Sequence, residues 1–324
     1  MTTNTAQVLK SLGRDGPLVS RIGFGAMGLG YGRNGLPISD EERFAVLDKA
    51  HALGCTFWDT SSIYGDAESL IGKWFARTGK RNVIFIATKF GGIMYPDGSF
   101  TFRGDAAYVR EACEASLEKL GVDSIDLFYP HRLDGSTPVE DIIAEMVKLK
   151  KEGKIKHIGL CEVSPTTLRR AHAVHPHIAC VQMEYSAFST EIEQLIEPPA
   201  GQDATKKQGE SFLAACRELG VALNLELVDV FKTVASKKGP NVTAGQVALA
   251  WLLAQGDDIF PIPGTTRISF LEENWAALRV ELTAAEEAQI RDMVDKASVA
   301  GDRYPAHHAL GLFSDTPLPC KASE

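Results

Sequence analysis

Phe57-Trp58-Asp59-Thr60-Ser61-Ser62-Ile63-Tyr64-Gly65 sets a short apolar run against a carboxylate, with a tyrosine five residues further on. The same pattern returns in Ile86-Ala87-Thr88-Lys89-Phe90 and Tyr129-Pro130-His131-Arg132, where an apolar run ends on one ionisable side chain. Runs of this kind, most of them rich in Ile, Val and Phe, lie at 21–25, 56–58, 83–88, 125–129, 155–160, 178–181, 221–225 and 259–262. Continuous rather than alternating apolar character is what parallel strands covered on both faces require.

Helical signals fill the intervals. Ser39 with Glu42, Thr137 with Glu140 and Thr283 with Glu286 have the spacing of capping boxes. Pro138 and Pro165 suit first helical positions, and Gly54, Gly121, Gly153 and Gly220 suit helix ends. Val109/Cys113/Leu117/Leu120 and Leu227/Val230/Phe231/Val234 keep the helical period. Eight strands alternating with helices predict a closed (β/α)8 barrel or an open doubly wound sheet. Gly23-Phe24-Gly25-Ala26-Met27-Gly28 matches the dinucleotide fingerprint of the second. A Rossmann turn opens directly into a helix, however, and here the first helix is expected only after Ser39. The reading is therefore an α/β chain forming one TIM barrel over residues 1–324, with an N-terminal extension and a C-terminal tail near the barrel mouth.

Composition agrees with one large core: 324 residues, 44% of them hydrophobic. A formal charge of −8 speaks against a nucleic-acid or anionic-membrane surface. Residues 1–10 are polar and carry no signal-peptide core. The longest apolar run, 247–254, is far below the roughly 20 residues a bilayer span needs. Six cysteines without CxxC spacing, the last being Cys320, read as free thiols of a reducing compartment, so a cytoplasmic location is expected. His172, His175 and His177 have no acidic or cysteine partner at ligand spacing and read as solvated surface, with no metal.

In a barrel, the C-terminal strand ends build the active site. Reading only those ends collects Asp59 and Tyr64 after strand 2, Lys89 after strand 3, His131 after strand 4, Gln182 at strand 6 and residues 263–267 after strand 8. Adding hydride to a carbonyl leaves an alkoxide that needs a proton. A phenol can donate one, but its ordinary pKa of about 10 is high for acid–base cycling. A neighbouring lysine ammonium is expected to lower it, a carboxylate to orient the lysine, and a histidine to hold the carbonyl oxygen. Alone, Asp59 would be a helix cap and Lys89 a barrel-mouth ion pair. Together, at successive strand ends, the four point to a hydride-transfer site without metal.

These motifs, with Lys151-Glu152-Gly153-Lys154-Ile155-Lys156-His157-Ile158-Gly159-Leu160, Val181-Gln182-Met183-Glu184-Tyr185-Ser186 and Ile262-Pro263-Gly264-Thr265-Thr266-Arg267, run in order along nearly the whole chain. They resemble the aldo-keto reductase superfamily, in the manner of the fungal and plant-type reductases that include pyridoxal reductases. The resemblance implies NADPH-dependent reduction of a small aldehyde or ketone. Tyr64 would be the general acid, tuned by Lys89 and Asp59, and His131 would orient the carbonyl. NADPH/NADP+ would lie across the rim, over Asp59. Gly25 and Met27 would flank the nicotinamide and Gln182 would bind its carboxamide. Gly264, Thr265, Thr266 and Arg267 would hold the 2′-phosphate, with Glu273 and Asn274 near the adenine.

One segment departs from the pattern. Val221-Ala222-Leu223-Asn224-Leu225 runs straight into 226–238, which has helical spacing, so no loop remains after strand 7. Relatives carry a Tyr-Ser-Pro-Leu-Gly type segment there, whose tyrosine stacks on the nicotinamide and whose backbone cradles the pyrophosphate. The strand 6 connection, with Glu197-Pro198-Pro199-Ala200-Gly201-Gln202-Asp203 and Lys206-Lys207, is long instead. The expectation is a barrel perturbed at strand 7 with weakened cofactor binding. The alternative is an impaired or non-catalytic cofactor-sensing barrel, or a product that folds poorly.

Overall fold

The structure is a computed structural model, and it describes residues 8–13, 16–32, 36–95, 99–194, 221–297 and 311–319. Beside two short antiparallel pairs, six parallel strands form the main sheet of the described residues: β1 (Phe24–Gly25), β2 (Phe57–Asp59), β3 (Phe85–Phe90), β4 (Ile125–Pro130), β5 (Ile155–Cys161) and β6 (Ile178–Gln182). Each pairs with its neighbour in sequence, from β1 at one edge to β6 at the other. A doubly wound sheet reverses strand order at a switch point, whereas a barrel never does. The order therefore decides for the barrel. The eighth candidate run, 259–262, forms no strand, but the residues after it complete the same trend. Gly264 bridges Gly25 in parallel, and the Gly25 N–H donates to the Pro263 carbonyl at 3.2 Å.

Helices α1 (Asp40–Leu53), α2 (Ala67–Thr78), α3 (Ala106–Leu120), α4 (Val139–Lys151) and α5 (Pro165–Val174) separate the strands. The first opens at Ser39, whose hydroxyl accepts the Glu42 N–H, and ends at Gly54 in the left-handed region. Pro165 follows Ser164, whose hydroxyl accepts the Thr167 N–H. At Thr137 the expectation fails: its hydroxyl donates to Asp134 instead of capping, because the Asp134 carboxylate is already folded back onto the amides of Ser136 and Thr137. A second correction falls near the start. A five-residue helix, Met27–Tyr31, follows β1 immediately, well before Ser39. Gly220 lies outside the described residues, as does Cys320 of the tail.

The strand reading of 221–225 is overturned: Val221–Lys238 is one helix, α6. An apolar run of five does not choose between strand and helix by itself, and the clear helical spacing beyond it carries the helix back through it. With α7 (Ala244–Ala254), α8 (Ile268–Ala276) and α9 (Ala284–Lys296) the chain sorts into two compact units. The first holds residues 1–182, 262–272 and 311–324, and the second 183–261 and 273–310. The second has its own core of Phe231, Val234, Val247, Trp251, Ile290 and Val294. Among the described residues no helix is long and apolar enough to cross a membrane.

Candidate active site

All four residues of the expected proton-transfer group lie in the first unit, at the C-terminal ends of β2, β3 and β4. Asp59 is the last residue of β2 and pairs in register with Ala87 of β3, which places Lys89 one pleat beyond it. Lys89 is wholly buried, and its ammonium meets Asp59 Oδ1 and donates to the Thr60 carbonyl at 2.9 Å. The other carboxylate oxygen, Oδ2, accepts from Gln182 Nε2 at 2.9 Å. Asp59 thus ties the ends of β2, β3 and β6 together. An ion pair this deep is held by geometry, because both charges have lost water.

Tyr64 reaches the same point from the loop before α2. Lys89 Nζ stands 5.0 Å from the centroid of its ring. His131 Nε2 lies 3.5 Å from the phenol oxygen, with the two rings edge-on at 5.5 Å. Burial pushes the Tyr64 phenol above its usual pKa, and the opposing pull of Lys89 does not cancel it. That corrects the expectation of a lowered phenol. His131 moves the other way: burial first, then the charges of Lys89 and Arg132, bring it down to about 2, so the imidazole is neutral. Lys89 stays charged, because Asp59 and Tyr64 outweigh the effect of its burial and its pKa is raised. The arrangement can deliver a proton from Tyr64 and stabilise the phenolate that remains.

The expected cofactor residues divide. Gln182 sits beside the tetrad. Gly25 and residues 264–267 adjoin it through the Gly25–Gly264 bridge, and Gly28 approaches Thr266 closely enough that a Cβ there would stand 3.1 Å from its methyl. Met27 is exposed. Arg267 lies over the Phe270 ring at 5.2 Å and, among the described residues, meets no carboxylate within 4.0 Å. Glu273 and Asn274 belong to the second unit, where Thr243 holds the Glu273 carboxylate at 2.6 Å. The side chains of 221–228 lie outside the description.

Two residues of the site were not among those picked out from sequence. Ser61 Oγ lies 3.1 Å from His131 Nδ1, and Tyr31 donates its hydroxyl to the Ile63 carbonyl while its ring meets Tyr64 edge-on at 6.2 Å. The sequence signal for Ser61 was its place inside the Asp59–Tyr64 loop; for Tyr31 there was none.

The model of the aldo/keto reductase family matches residues 21–199 and 193–295. The chain belongs to the aldo/keto reductase family. It is 45% identical to the aldo-keto reductase str7 of Strobilurus tenacellus, over 93% of this chain and 96% of that protein. It is 42% identical to the aldo-keto reductase yakc [NADP(+)] of Schizosaccharomyces pombe, over 95% and 97%. Among solved structures it is similar to the glycerol dehydrogenase of Gluconobacter oxydans, with TM-score 0.74, 21% identity and coverage of 98% and 100%. A thermostable aldo-keto reductase superposes with TM-score 0.69 at 24% identity, over 88% of this chain and 99% of its own. The fold is thus the α/β barrel of the family, and this aldo/keto reductase is an oxidoreductase of small carbonyl compounds. The alignments to the two relatives run over 336 and 343 positions, more than the 324 residues of the chain, so the relatives hold residues without a counterpart here.

Proposed function

We propose that this aldo/keto reductase reduces an aldehyde or ketone to the alcohol with NADPH, Tyr64 giving the proton. The observation that carries the reading is the convergence of Tyr64, Lys89, Asp59 and His131 on one rim, with the phenol between an ammonium and a neutral imidazole. The residues present fit the cofactor at one end. Arg267 is an exposed guanidinium without a carboxylate partner among the described residues, suited to fork onto a phosphate, and Gly25 and Gly264 approach so closely that a Cβ on Gly264 would stand 2.9 Å from the Gly25 carbonyl. NADP as the cofactor is also supported by the name of the S. pombe relative. When bound, the nicotinamide supplies the hydride. Among the described residues Gln182 keeps its side-chain carbonyl free to accept from a carboxamide, while its nitrogen donates to Asp59. Tyr64 gives its proton to the substrate oxygen, and Lys89, anchored by Asp59, stabilises the phenolate. Asp59 and Lys89 act through Tyr64. A cytosolic location goes with this reading, on the free thiols of Cys55, Cys113, Cys161 and Cys180.

NADPH oxidation against a panel of aldehydes, pyridoxal included, tests the proposal. Tyr64→Phe should lower turnover at least about 100-fold while NADPH affinity stays within about twofold, as befits an acid that touches only the reacting oxygen. Full turnover by that variant on every accepted aldehyde would falsify the role of Tyr64.

A second reading is favoured by the helix at 221–225 and by the alignment positions the chain lacks. In it the barrel binds NADPH weakly and is impaired, or senses the cofactor without turnover. Lost stacking and backbone donors weaken binding by about 1–3 kcal/mol each. A fluorescence titration separates the two: micromolar or tighter NADPH binding supports the enzyme reading, and millimolar binding the impaired one.

A further inference from the structure

Ser61 is buried between Asp59 and Tyr64, and its one hydroxyl proton has two groups within reach. The Lys89 carbonyl lies 3.3 Å from Oγ and His131 Nδ1 lies 3.1 Å away. The Lys89 carbonyl already receives the Ser62 N–H at 3.0 Å, so it does not depend on Ser61. Nδ1 has no other hydrogen-bonding neighbour among the described residues. The Ile63 N–H points at Oγ from 3.5 Å, a position that leaves the hydroxyl proton to be given elsewhere. A neutral imidazole carries one proton, and the partner of one nitrogen decides which nitrogen holds it.

We propose that Ser61 is a positioning residue that donates to Nδ1 and holds His131 as the Nε2–H tautomer. The consequence is directional. Nε2–H then faces the Tyr64 phenol oxygen at 3.5 Å as a donor, while the Lys89 ammonium stands 5.0 Å from the centre of the same ring. The phenol's own proton is left to turn toward a substrate oxygen, and the phenolate formed after transfer keeps the Nε2–H donor and the nearby Lys89 charge. With the proton on Nδ1 instead, Nε2 would accept the phenolic proton and draw it away from the substrate. The same Nε2–H can also reach the carbonyl oxygen once substrate is seated. This inference rests on the reading of Tyr64 as the proton donor.

The test reads the tautomer without needing turnover. Long-range proton–nitrogen spectra of the full chain carrying nitrogen-15 histidine, with His131 assigned from the His131→Gln variant, should show Nε2 protonated and Nδ1 bare. A protonated Nδ1, or an even mixture of the two forms, overturns the proposal. Ser61→Ala should convert His131 to a mixture and lower kcat about tenfold with KM little changed, and Ser61→Thr should restore both. An unchanged His131 spectrum in Ser61→Ala also overturns it. A chain with no turnover on any aldehyde would sink the reductase reading, and the unsubstituted chain's spectrum would still decide the role of Ser61.

Discussion

At the scale of single residues the site is organised by burial. Lys89 and Asp59 share an interior ion pair, and removing one partner strands the other charge. Lys89→Met should therefore cost about 3–5 kcal/mol of stability in urea denaturation, with the double variant Asp59→Asn/Lys89→Met recovering part of it. Equal stability of wild type and Lys89→Met would contradict a dry pair. His131 offers a second measurement. Its folded pKa is near 2 against an ordinary 6.5, so below about pH 6.5 the unfolded chain binds a proton that the folded chain refuses. The stability contribution is whole above that pH and is lost as pH falls, at about 1.4 kcal/mol per pH unit. Between pH 6.5 and 5 the chain should lose about 2 kcal/mol that His131→Gln does not lose, read from denaturation midpoints at each pH. Parallel slopes for the two proteins would show that His131 is not buried neutral.

Among the elements, the short helix Met27–Tyr31 braces the loop that carries Tyr64. Gly30 packs so closely that a Cβ would stand 1.8 Å from the Tyr64 carbonyl, and Gly65, at φ +53°, leans back on the Gly30 carbonyl. Gly30→Ala must push this loop away, and a displacement near 1 Å at a reacting group costs about 100-fold in rate. Turnover should fall by that order while the second unit's helices keep their far-ultraviolet signal. Undiminished kcat would mean that the loop position is not set there. This element was misread from sequence. Two of its five residues are glycine, which argues against a helix by propensity, and only packing against Tyr64 and Ala67 makes it one. Helix α1 was readable because its start and stop signals, Ser39 and Gly54, are local.

Over the whole molecule the two sides of the sheet differ. β4 is buried along its full length, while all five residues of β6, the last strand in the order, are only half-buried. Amides of β4 should therefore exchange with solvent more slowly than those of β6 in a hydrogen-exchange experiment, since local opening follows burial. Equal protection would mean that β6 is covered as well as its neighbours. In sequence, the family match divides at residues 193–199, after β6, and Val221–Lys238 is a helix where a seventh strand was expected.

Sequence by itself determined the strand ends. Asp59, Lys89 and His131 each follow an apolar run long enough to be a strand, and parallel strands bring their C-terminal ends to one rim whatever helices lie between. Barrel order, the neutrality of His131 and the raised phenol of Tyr64 belong to tertiary structure, because each depends on which groups pack around a position from distant parts of the chain. So does the 221–225 segment, where Val-Ala-Leu-Asn-Leu is apolar enough for either state and the helix that follows it decides. The contact of Ser61 with His131, seventy residues apart, is of the same kind. A hydroxyl in a loop says nothing of its acceptor until the strands place one beside it.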